Sequence, residues 1–369
     1  MRAKYIALAP VGFVAATLIA FAVLPADAHK PITSKYTYNS DVFPVFSARC
    51  GECHRAGGPA PMSLLAYKDA VPWAESIREE LVAEKMPPTF LDPFGPAVKG
   101  GHTITPKELD TIITWATGGT PEGDPGKRPV PSIAADEWPM GKPDVVLAMP
   151  AEHVVSATVT EEVAELRLDT GFAERRWLKG ADLQPGDASI VRDATISVEN
   201  GPVLAAWVPG EHITMAPDDA AFDVAAGARL TLRIHYKKGW QDERAQKTDR
   251  SRVGLYFAAP SGTAHAISSV GLHGTTSERV SVVAVRPRLD RPYGSIDVHA
   301  VLADGTTMPL LRLSHPRPEW PRRYWLENPI ALPAGARIEM TTTAARIDPD
   351  DPPRPPAGPL EAAVEFISK

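Results

Sequence analysis

The chain has 369 residues, 44% of them hydrophobic, with 38 prolines and a net charge of -6. An acidic balance without any Lys/Arg-rich run excludes a nucleic-acid partner on charge grounds, and the apolar content suffices for ordinary cores, which excludes global disorder. The length suits two or three domains, and abundant proline favours loops and sheet edges over long helices.

Met1-Arg2-Ala3-Lys4 is a positively charged start, Tyr5 to Leu24 is an apolar run, and Ala26-Asp27-Ala28 is a small-x-small cleavage signature. These features predict a secretory signal over residues 1–28. The run is also long enough to stay as a membrane anchor, and that alternative remains open. Under either reading the body of the protein is exported, and a periplasmic location is expected.

Residues 36–125 read as a small helical module. Asn39-Ser40-Asp41 marks a helix start with an acidic first turn. Pro44 falls where a missing N–H costs nothing, and Val42, Val45, Phe46 and Arg49 carry the helix forward. The helix ends at Cys50-Gly51-Glu52-Cys53-His54, which holds both cysteines of the chain. Cys-x-x-Cys-His is the attachment motif of a c-type haem: Cys50 and Cys53 would form thioethers, and His54 would ligate the iron. A redox or structural thiol pair is the bland alternative, but no thioredoxin-like βαβ pattern surrounds the motif.

A second helix is predicted from Pro72 to Lys85, with Trp73, Ile77 and Leu81 on one face and Met86-Pro87-Pro88 as its stop. A third starts with a capping box, Thr105-Pro106-x-Glu108, buries Leu109, Ile112, Ile113 and Ala116, and ends at Gly118-Gly119. Three helices around a haem tether are the plan of a small all-α class I cytochrome c domain. Met86 is the expected distal iron ligand, on a proline-stiffened loop, with Met62 and His102 as competitors.

Residues 126–143 form a Pro/Gly-rich linker, after which apolar residues recur with strand period. Segments 144–147, 164–168, 230–236, 280–285 and 295–301 read as strands, punctuated by turns at Gln184-Pro185-Gly186-Asp187, Ala303-Asp304-Gly305 and Leu332-Pro333-Ala334-Gly335. They predict an all-β part made of two antiparallel sandwiches, 144–260 and 261–369, with the seam near Pro260-Ser261-Gly262.

Several phrases carry a resemblance. Cys50-x-x-Cys53-His54-Arg55, Ala60-Pro61-Met62-Ser63-Leu64, Met86-Pro87-Pro88 and Trp115-x-x-Gly118-Gly119-x-Pro121 resemble bacterial monohaem cytochrome modules. Arg176-Trp177, Trp207-x-Pro209-Gly210, Ile234-His235-Tyr236, 248–255 and Tyr324-x-Leu326-x-x-Pro329 resemble the domain pair of copper type II, ascorbate-dependent monooxygenases of the peptidylglycine α-hydroxylating kind. The resemblance covers 36–369 and implies two jelly-roll-like sandwiches with two copper sites. The copper ligands are largely missing. Ile190-Val191-Arg192-Asp193-Ala194 stands where a His-His pair is expected, no histidine lies between Val285 and Gly294, and no methionine lies in 360–369. His235 is the one matching position, a residual copper-ligand position on which copper binding is not expected. His273 and His299 have no spacing that builds a site with it. An Arg192–Asp193 ion pair is a candidate replacement for the lost metal.

The sequence therefore points to an exported electron carrier with one covalent haem c and a copper-less β scaffold for docking or ligand binding. Its partner would be a redox protein or a membrane redox complex. Two alternatives stay open: a copper-dependent monooxygenase with a fused haem donor, and a haem-bearing accessory subunit of a membrane redox complex.

Overall fold

The computed structural model describes residues 33–101, 103–128, 130, 138–211, 215–259, 264–346 and 358–368. The signal segment, His102 and the seam at 260–262 lie outside these. Among the described residues, no helix is long and apolar enough to cross a membrane.

The helical part is small and has its own core. A π-helical turn (Tyr38–Val42) runs into α1 (Phe43–Arg49), followed by α2 (Tyr67–Ala70), a 3-10 turn (Val71–Trp73), α3 (Ala74–Val82) and α4 (Pro106–Thr117). Tyr38, Phe46, Ile112 and Trp115 are almost fully buried at its centre, and the Tyr38, Phe46 and Trp115 rings meet 6.1–6.3 Å apart. The Thr105–Glu108 capping box is present as predicted, satisfying N–H groups that a helix end leaves without partners.

Two helix expectations need correction. The second helix does not begin at Pro72; helical backbone begins at Tyr67, and Pro72 sits in the 3-10 turn where its missing N–H is tolerated. It also ends at Val82, three residues before Lys85, because Glu84 takes a positive φ of 53°. On α4, Thr111, Ile112 and Trp115 are buried and Leu109 and Ala116 pack partly buried against the same core, while Ile113 does not join it. The large indole, not Ile113, sets which stripe faces inward.

The rest of the chain is β. The first unit contains β1 (Val145–Ala148), β2 (His153–Val155), β3 (Glu161–Asp169), β4 (Arg176–Gln184), β5 (Val191–Val198), β6 (Val203–Trp207), β7 (Ala220–Val224), β8 (Arg229–Lys237), β9 (Lys247–Asp249), β10 (Arg252–Phe257) and β11 (His265–Ala266). One sheet runs β1-β10-β4-β7-β11 and a second β3-β8-β5-β6, with β2-β9 as a separate ribbon. Alternation places Leu178, Leu183, Phe222, Val253 and Leu255 of the first sheet against Leu168, Ile196, Leu204, Leu232 and Ile234 of the second in one core. The linker's end packs on this unit: a side chain at Gly254 would collide with Trp138 and Pro143.

The second unit contains β12 (Ser268–Gly271), β13 (Val280–Arg288), β14 (Tyr293–Val301), β15 (Thr307–Ser314), β16 (Tyr324–Leu332), β17 (Arg337–Ala344) and β18 (Glu361–Ser368). Its sheets run β12-β18-β13-β16 and β15-β14-β17. β11 pairs with β7 and β12 with β18, so the chain crosses between units at Ile267.

Two features fasten the parts together. Arg323, just before β16, donates to Glu365 on β18 at 2.6 and 2.9 Å, and to the Leu204 carbonyl of the first unit at 2.8 Å. Its guanidinium lies 5.1 Å from both the Phe222 and Trp325 ring centres. The second fastener is the segment after Met86. Phe90 is buried in the second β core, and Leu91 and Val98 bridge to Leu313 and Leu326. Ser314 N–H donates to the Phe90 carbonyl at 2.7 Å, and Lys99 N–H to the Trp325 carbonyl at 2.8 Å. A stretch that begins in the helical part thus adds short strand pairings to both sheets of the second unit.

Candidate functional site around Cys50, Cys53 and His54

The site begins where α1 runs out. Cys50 N–H still donates to the Phe46 carbonyl, and the Cys50 carbonyl accepts N–H bonds from Cys53 at 3.2 Å and His54 at 2.8 Å. One tight turn therefore brings both thiols and the imidazole to the same end of the helix. His54 Nδ1 faces the Met62 carbonyl oxygen at 3.3 Å. That contact fixes the ring and assigns the proton to Nδ1, leaving Nε2 as the lone-pair donor. Burial lowers the His54 pKa, against the opposing effect of the Met62 bond, so the ring is held neutral.

The thiols are also held neutral. Burial, with some help from Cys53, pushes Cys50 up to about 12. Burial and Glu52 push Cys53 up to about 11, against Arg322, Arg55 and Arg192. Redox Cys-x-x-Cys pairs work through a depressed thiolate pKa, and this pair has the opposite environment. Cys50, Met62 and Met86 are all half-buried against the helical core, so the tether and both methionine candidates share one small module.

The β scaffold closes over this turn. Cys53 Sγ lies 3.5 Å from the Pro209 carbonyl oxygen, in the loop after β6. A Cβ on Gly210 would sit 2.9 Å from Cys53 Sγ, and Gly210 itself has a φ of +71°. The glycine is needed for the close approach as much as for the turn. The turn Trp207-Val208-Pro209-Gly210 thus supplies the surface against which the Cys loop rests.

His235 lies on β8 beside β3 and β5. Its Nδ1 is 2.7 Å from Asp193 Oδ2 and its Nε2 is 2.8 Å from Glu161 Oε1. Burial acts to lower its pKa, but the two carboxylates outweigh that and raise it. Both ring nitrogens are therefore engaged as an imidazolium would engage them. The expected Arg192–Asp193 pair does not form. The β5–β8 register slips between Val191 and Asp193, leaving Arg192 unpaired in the ladder; Asp193 turns to His235, while Arg192 Nη1 donates to the Ser189 carbonyl at 2.9 Å. His299 faces Asp297 and Glu339, and His273 occupies a left-handed turn with φ 64°. Among the described residues, no group of three or more His, Cys, Asp or Glu side chains is arranged to hold a metal ion.

Sequence reasoning missed two members of this neighbourhood, the buried Asp182 and the half-buried Glu211. Asp182 lies inside the buried run 180–183 of β4, and only its charge within that apolar stretch could have signalled it.

No family model matches this chain, and no curated protein is significantly similar to it. Among solved structures, it is similar to the major capsid protein P2 of bacteriophage PM2 at 8% identity and a TM-score of 0.26, covering 60% of this chain and 96% of that one. The STIV major capsid protein aligns at 6% identity and a TM-score of 0.24, covering 60% and 95%. Scores at this level leave fold and function to be argued from the chain itself.

Proposed function

We propose that this protein is an exported monohaem c-type cytochrome whose β units form a scaffold around the haem-bearing turn. The observation that supports it most is the His54–Met62 contact: a neutral imidazole, anchored through Nδ1, keeps Nε2 free on the same tight turn as two half-buried thiols. Neutral thiols resist disulfide exchange and metal capture, so the pair stays reduced for addition across haem vinyl groups. When bound, the haem would supply one-electron transfer, with the potential set by axial ligation and burial.

Met86 is the better distal candidate. The Met62 carbonyl contacts Nδ1, while Nε2 is the nitrogen that would hold an iron, so the Met62 backbone is already engaged in positioning His54. Met86 follows α3, is half-buried against the same core, and leads into the segment fastened to the second β unit. That fastening would restrain the methionine loop. The fold class expected from sequence, a class I cytochrome c with two jelly-roll-like sandwiches, is part of this proposal.

The test is spectroscopic. Protein matured in a haem-competent periplasm should show a c-type spectrum that cycles between ferric and ferrous forms with dithionite and ferricyanide. A purified chain with no haem band, or a haem that cannot be cycled, would overturn the proposal.

A further inference from the structure

We propose that the cleft between the Cys loop and the first β unit binds a small organic ammonium ion, held by Asp182 and Glu211. The cleft has a volume of about 110 Å³ and opens to solvent. An apolar cavity of ~150 Å³ accepts a single benzene ring, so an alkyl or single-ring ligand is the fitting size. Trp138 and Trp207 line it from the linker and β6, and Arg55 and Glu52 from the Cys loop.

Asp182 is 1% exposed, and its Oδ2 has no hydrogen-bond partner. Its other oxygen accepts the Leu183 N–H at 2.7 Å. Glu211 also lines the cleft, and its Oε2 is buried without a partner. A buried acceptor left open costs about 1–3 kcal/mol, and two in one cleft call for a ligand that brings donors. Burial pushes Asp182 up to about 7, opposed by hydrogen bonding from the Leu183 N–H and from the Trp207 indole. Burial pushes Glu211 up to about 7, against Arg322 and Arg323, while Asp182 adds to the rise. Tyr256 also feels the Asp182 charge.

Arg322 is the cation that acts most on Glu211, and its buried Nε has no hydrogen-bond partner, so any ligand shares the cleft with it; the other nearby cations are committed elsewhere. Arg323 is held by Glu365, and Arg55 Nε donates to the Glu52 carbonyl. An ammonium group offers three donors and one positive charge, and the indole walls favour a cation with an apolar body. A neutral alcohol of the same shape offers one donor and no charge, so it should bind far less well.

The test uses the full-length protein and calorimetric titration with methylammonium, butylammonium and benzylammonium, with benzyl alcohol as the neutral control. At least one ammonium should bind, with affinity rising about tenfold or more from pH 6 to pH 8 as the carboxyls ionise. D182N and E211Q should each weaken it about tenfold, with melting temperatures confirming that the variants fold. The wild-type pH series tests the same claim without any variant. No ammonium binding at roughly 10 mM, equal binding of benzyl alcohol, or affinity flat with pH would overturn it.

Discussion

Cys53 and Gly210 approach so closely that the glycine has no room for a methyl group: its Cβ would lie 2.9 Å from the thiol sulfur and 3.2 Å from Glu52 Cβ. The two residues lie 157 positions apart, in parts with different secondary structure and different cores. Their contact makes the β scaffold part of the wall around the Cys loop. Gly210→Ala should therefore cost about 1–3 kcal/mol, from left-handed backbone strain plus the clash. Gly171→Ala, with a φ of +65° but nothing within 4 Å, should cost only about 1 kcal/mol. Urea unfolding of both variants checks the difference; equal losses would mean that the Cys53 contact adds nothing.

The Arg323–Glu365 pair lies within the second β unit, with side chains 5% and 4% exposed, and holds the guanidinium that reaches the Val203 and Leu204 carbonyls of the first. Removing the carboxylate leaves a buried guanidinium against the Val203 and Leu204 carbonyls and the two aromatic faces. Glu365→Ala should destabilise the protein by about 3–5 kcal/mol, seen as a lower denaturant midpoint. A loss below about 1 kcal/mol would show that water reaches the site.

His235 carries a pH signature. Its pKa is raised in the folded state, so its stabilising contribution is full below the unfolded value of about 6.5 and is lost as pH rises through the folded value. His235→Gln should therefore cost about 1 kcal/mol near pH 5.5 and much less near pH 9, with the discount due to the half-exposed Glu161. Unfolding at the two pH values measures this. A cost independent of pH would mean that the ring is neutral in the native protein.

The distal ligand is tested at the methionines. Met86→Ala should abolish the weak band near the red edge of the ferric spectrum and lower the reduction potential, because Met/His ligation raises it. Met62→Ala should keep the band. The reverse pattern would move the ligand to Met62.

Much of the site was legible because its signals are local. The spacing Cys50-x-x-Cys53-His54 and the Thr105–Glu108 box depend on residues within one or two turns, and strand alternation marks β8 and β13 without tertiary knowledge. What was not legible is long-range. Nothing near Phe90 in sequence says that its side chain enters the second β core, since the partner carbonyls and strands arrive more than two hundred residues later. The Arg192–Asp193 pair failed for a similar reason: sequence adjacency suggested contact, while a register slip at Arg192 and partners on other elements, Ser189 and His235, take the two side chains apart. Asp182 escaped notice because one acid in an apolar strand gives no sign of whether its partner is protein or ligand.

The central claim is the covalent haem, and haem retention after denaturation tests it most directly. Periplasm-matured protein should keep one haem per chain through acid–acetone extraction, with both thiols blocked to alkylation, and Cys53→Ser should leave at most one thioether. A wild-type chain that loses its haem to the solvent, or whose Cys50 and Cys53 both alkylate freely, would contradict the account.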